Sequence, residues 1–156
     1  MKRKILFNLT LVLLVASLSA FTFHEVKEFE AEKEVKELIL KSYINGAFND
    51  LNPEAMRKGF HPDFAIFSAD GENISKYPIS EWANGVEKRK NKEDFDPAKN
   101  KWEHNFAAVD VTGGSASAKI ELSRNGKLVY TDYLSLLKFE EGGWRIVAKV
   151  YHRHKK

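Results

Sequence analysis

The chain has 156 residues, 43% of them hydrophobic and 30% charged, which is apolar material for one core and one domain. Its formal charge is +3, but residues 1–20 hold three of the 25 bases and no acid, so the remaining 22 bases balance the 22 acids and charge gives no argument for a nucleic-acid partner. The absence of cysteine excludes disulfides, a thiol nucleophile and a lipidated cysteine.

Residues 1–20 read as a secretory signal: Lys2, Arg3 and Lys4, an apolar run from Ile5 to Ala16, then the small residues Ser17 to Ala20 before a cleavage site. That run is shorter than a bilayer-spanning helix, so no membrane span is expected after cleavage and the product is secreted or periplasmic. One folded domain is expected over 25–154. Val35, Leu38, Ile39, Ser42, Tyr43, Gly46 and Ala47 share one face of a long first helix beginning near Glu25. Asn52-Pro53 to Gly59 is bracketed as a short second helix, with Asn52 as N-cap, a Leu51 to Met56 staple and Gly59 as stop. A short strand is predicted over Phe64–Ser68. Ile79, Trp82, Ala83 and Val86 then mark a third helix over about 80–90. Residues 88–101 mix bases with acids and read as a solvated loop.

Four strands follow, at about 102–111, 115–124, 127–139 and 144–152, with Asn125-Gly126 as a two-residue hairpin turn. Helices segregated from an antiparallel meander define an α+β fold, with three N-terminal helices on a curved, mainly antiparallel sheet. A regular register from that turn pairs Ala118 with Tyr133 and Ser135 with Ala148 on an inner face, and puts Asp132 beside Lys119 on the outside. The outer face then carries Tyr130, Leu134, Leu136, Val147 and Tyr151, too apolar for water, and is expected to form a homodimer.

The segments Lys41 to Leu51, Pro53 to Phe64, Tyr77 to Trp82, Thr131 to Phe139 and Gly142 to Val147 resemble the Putative lumazine-binding family of the nuclear transport factor 2-like (NTF2-like, SnoaL-like) superfamily. The resemblance implies a cone-shaped domain whose helices and sheet enclose a pocket, as a homodimer. An isomerase-type member needs a helix tyrosine, a carboxylate base on the first strand and a donor from the sheet. Tyr43 is similar to the tyrosine, but Ser68 stands at the base position and Ser135 at the donor position, and an unactivated serine is no base.

The expected function is therefore an exported, non-catalytic domain binding a small neutral polar or heterocyclic ligand. Its pocket is lined by Tyr43, Ser68, Trp82, Thr131, Tyr133 and Ser135. One alternative is a lyase or isomerase using His61 or Asp63 as general base, set against the reading of His61-Pro62-Asp63 as a strand entry. Another is a ligand-free interaction module with a filled cone. His152 and His154 lack a third ligand at useful spacing, so no metal site is expected, and no cofactor.

Overall fold

Three helices precede most of the sheet in a computed structural model, which describes residues 27–155. The predicted signal segment and the predicted helix start near Glu25 lie outside those residues. Helix α1 covers 27–49, α-helical to residue 38 and π-helical over Ile39–Asn49. Its predicted stripe is the buried one, with Val35, Ile39, Ser42, Tyr43, Gly46 and Ala47 all inside. The π form, a rare departure that widens each turn, was not legible in the periodicity.

Helix α2 (Pro53–Gly59) starts as predicted, the Asn52 side chain accepting from the Ala55 amide at 3.1 Å. Gly59 has another reason to be glycine than the predicted stop: a Cβ there would lie 2.1 Å from the Ser42 hydroxyl, so its bare backbone lets α2 close on α1. Helix α3 (Ile79–Lys90) buries Ile79, Ala83 and Val86.

The predicted short strand is an 11-residue β1 (Phe60–Asp70) that turns at Gly71 and pairs with β2 (Asn73–Pro78). Strand β2 went unrecognised because it is an almost wholly exposed edge strand ending in proline, with no apolar alternation. Strands β3 (Glu103–Thr112), β4 (Ser115–Arg124), β5 (Lys127–Phe139) and β6 (Gly143–Arg153) fall where the sequence put them. The six strands run in the order β2-β1-β6-β5-β4-β3, antiparallel except for the parallel pair β1 and β6. The α+β class stands. The core joins Val35, Ile39, Tyr43 and Met56 of the helices to Ile120, Leu134, Leu136 and Ile146 of the sheet.

Strand β4 turns Ala118 and Ile120 inward as expected, but on β5 and the far half of β6 the two faces are the reverse of the expected assignment. Asn125-Gly126 does form the hairpin turn, with φ of 53° and 70°, and Arg124 pairs with Lys127. Two residues on, the register slips: Ser123 faces Leu128 but Leu122 faces Tyr130, so Val129 is an extra residue in β5. A one-residue bulge inverts every later side chain. Ala118 therefore pairs with Leu134 rather than Tyr133, and Ile120 with Asp132. From the second turn Phe139 faces Gly143, and only beyond a second bulge, at Val147, do Ser135 and Tyr133 face Ala148 and Val150 as expected. Tyr133 and Ser135 are exposed on the outer surface, and Asp132, expected outside beside Lys119, is wholly buried. The expected dimer surface is corrected in the same way: Leu134 and Leu136 are core residues, and Tyr130 and Tyr151 line the inner side.

Candidate functional site

Six elements meet around a cavity of about 680 Å³, within the 300–1,000 Å³ usual for small-molecule sites. Ala47 and Phe48 end α1 at its back, and Trp82, Gly85 and Arg89 line it along α3. The β1–β2 hairpin gives Ile66, Ser68, Ser75 and Tyr77; the inner faces of β5 and β6 give Tyr130, Lys149 and Tyr151. Ser68, Ser75 and Tyr77 are exposed and form the rim. Gly85 keeps space open: glycine inside a helix is about 1 kcal/mol worse than alanine, and a Cβ there would press to 3.3 Å from the Tyr77 hydroxyl.

Lys149 is the polar centre of the wall. Leucine-rich β5 and the aromatic ends of α1 and α3 surround its ammonium, which is 5.4 Å from the Trp82 ring centroid, 5.2 Å from Tyr151, 4.9 Å from Tyr43 and 5.8 Å from Phe48. Lys149 Nζ donates to the Tyr43 hydroxyl at 2.7 Å and pairs with Asp132 Oδ1 at 2.9 Å. The Tyr43 hydroxyl in turn donates to Asp132 Oδ2 at 2.5 Å. The three groups close a ring of contacts with side chains 5% and 0% exposed at Lys149 and Asp132. Burial lowers the Lys149 pKa, with Asp132 opposing that shift. Burial, then the Asp132 charge, pushes the Tyr43 phenol well above its ordinary value, so Tyr43 stays a neutral donor. Arg89 donates to the Ala47 carbonyl at 3.1 Å, and burial lowers its pKa. No carboxylate or histidine is among the cavity-lining residues, so this wall offers donors and positive charge.

The structure brings some predicted site residues together and scatters others. Ser68 and Trp82 line the cavity, and Tyr43 stands behind it, touching Lys149. Thr131 lies on the outer side of β5, where its hydroxyl meets His154 Nε2 at 2.9 Å under the chain end. Tyr133 and Ser135 share that outer side. His61 stacks on Phe139 at 4.9 Å, and its Nδ1 accepts from the Asp63 amide at 3.2 Å. The Asp63 side chain is 93% exposed, and neither residue lines the cavity, so the geometry gives the general-base alternative no support. Among the described residues no cluster of three or more potential ligands could hold a metal.

Sequence reasoning missed Lys149 and Asp132 because both sit beyond bulges. The signal available was an acid and a lysine inside otherwise apolar alternations, Thr-Asp-Tyr-Leu and Val-Ala-Lys-Val, where an inward pairing was an option.

Helices laid on a curved six-stranded sheet, with a cavity on the inner face, define an NTF2-like α+β domain. The chain belongs to the Putative lumazine-binding family, whose model matches residues 30–152. Over 100 residues, 63% of this chain and 73% of the relative, it is 30% identical to the protein named Aldolase FrzH from Cladobotryum sp. Its fold is similar to an NTF2-like protein of unknown function from Shewanella baltica, at 30% identity and TM-score 0.61, covering 84% of this chain and 97% of that one. A second NTF2-like protein of unknown function, from Methylobacillus flagellatus, is similar at 26% identity and TM-score 0.55, covering 81% and 92%.

Proposed function

We propose that the domain binds a small, flat, acceptor-rich heterocycle in the cavity beneath Trp82 and Tyr151, with Lys149 and Arg89 directed at its carbonyl or anionic groups. The observation that carries this is a 680 Å³ cavity with aromatic walls and two cationic side chains but no lining acid. It departs from the expectation of a neutral ligand because Lys149 was not foreseen in the wall. Family membership supports a heterocyclic ligand. A filled, ligand-free cone fits a cavity of this size poorly.

Titration with lumazine, followed by tryptophan fluorescence, tests the reading. Wild type is expected to bind and Gly85→Leu, which fills the cavity from α3, to lose binding. Lys149→Met is expected to weaken binding about 10- to 100-fold, the worth of a charge-assisted hydrogen bond of about 1.5–3 kcal/mol. Equal binding by wild type and Gly85→Leu would remove the cavity from the argument.

A second reading is chemistry on an enolisable carbonyl compound. The Lys149, Tyr43 and Asp132 contacts favour it, and so does the likeness to a protein named as an aldolase. We also propose that the mature protein is exported, on the strength of residues 1–20, and that it pairs with a second copy. The corrected surface for that pairing is the outer sheet face, where the neighbours Tyr133 and Val150 are 47% and 49% exposed.

A further inference from the structure

Lys149 differs from every other group on the cavity wall in what it can do to a bound carbonyl. The remaining lining side chains offer hydroxyls, aromatic rings and the Arg89 guanidinium. None of these has a lone pair on a nucleophilic amine. A proton acceptor already stands at the Lys149 amine, with Asp132 Oδ1 at 2.9 Å directly and Oδ2 reached through the Tyr43 hydroxyl at 2.7 and 2.5 Å. Asp132 and Tyr43 do not line the cavity, so they act on the amine rather than on a ligand. Desolvation weakens the hold of Lys149 on its proton, which favours the free amine needed for attack.

We propose that Lys149 is a nucleophilic amine that forms an imine with the carbonyl carbon of a small oxo acid or aldehyde bound in the cavity. The proposal rests on the cavity being a ligand site. The Lys149 ammonium gives one proton to the Asp132 carboxylate, and the freed lone pair adds to the carbonyl carbon. A second amine proton passes to the former carbonyl oxygen, giving a carbinolamine. Asp132 returns its proton to the carbinolamine nitrogen, which passes one on to that hydroxyl; water leaves and a protonated imine remains. The three ammonium protons end as two in water and one on the imine nitrogen, and nothing is oxidised or reduced. Such an imine withdraws electrons from the adjacent carbon, which is what making or breaking a carbon–carbon bond there requires. Arg89, on the same wall, supplies a partner for the carboxylate of an oxo acid.

Pyruvate and glyoxylate, each with cyanoborohydride to reduce any imine to a stable secondary amine, are the probes. Peptide mass mapping reads the labelling of Lys149 against an exposed lysine such as Lys127. Lys149 is expected to label about tenfold faster, because desolvation favours its free amine and the cavity holds the carbonyl beside it. Gly85→Leu, with Lys149 still present, is expected to bring its rate down to that of Lys127, and lumazine is expected to protect Lys149 in the wild type. Labelling of Lys149 no faster than Lys127 with either probe overturns the imine. If lumazine still binds in that case, the ligand pocket survives without it; if lumazine also fails to bind, both readings fall together.

Discussion

The inner side of β5 and β6 has two ends built on the same ladder. At one, Leu134, Leu136, Trp144 and Ile146 are sealed against the helices along with Phe60 and Phe64. At the other, Tyr130, Asp132, Lys149 and Tyr151 surround or border open space. The ladder joins both ends and is broken between them only by the Val147 bulge, beyond which the inward side chains make one end solid and the other hollow. The sealed end gains stability from burial, at about 25 cal/mol for each Å² of apolar surface removed from water. The open end holds a buried ion pair, whose desolvation offsets most of its attraction. Folding alone gives no reason to keep Lys149 there, and the cavity beside it does.

The contrast can be broken most forcefully from its polar side. Asp132→Ala strands a buried lysine and is expected to cost about 3–5 kcal/mol, against about 2–4 kcal/mol for Ile146→Ala at the sealed end. Urea unfolding measures both, and a cost below about 1 kcal/mol at Asp132 would mean that Lys149 escapes to solvent. Replacing the pair together, Asp132→Leu with Lys149→Met, extends the sealed end into the open one. That double variant is expected to unfold at the same or higher urea concentration, by up to about 3 kcal/mol, while losing lumazine. If it is as unstable as the single variant, the ion pair does more for folding than the comparison allows. The smallest change concerns the opposite surface. Tyr133→Lys is expected to leave monomer stability within about 0.5 kcal/mol while shifting the chain towards monomer in sedimentation; an unchanged oligomeric state would discard the outer face as the contact.

Much of the fold was legible because its signals are local. The stripe from Val35 to Ala47, the Asn52-Pro53 start and the Asn125-Gly126 turn each act over a few residues, and each produced the element it predicted. The candidate cavity was legible only in part: Trp82 and Ser68 line it, while Thr131, Tyr133 and Ser135 lie on the other side of β5 and Lys149 was not considered. Strand β2 escaped because an exposed edge needs no apolar pattern.

What the sequence determined by itself was therefore the family, the α+β class and the order of every element but β2, since periodicity, caps and turn chemistry are written in neighbouring residues. Which face β5 and the far half of β6 turn inward was decided by the tertiary structure. The extra residues Val129 and Val147 are accommodated only when the sheet curves against its helices, and each reverses the parity of everything beyond it. That reversal carried Asp132 into the interior and brought it, with Lys149, to Tyr43, 89 and 106 positions away along the chain, a meeting no local pattern encodes.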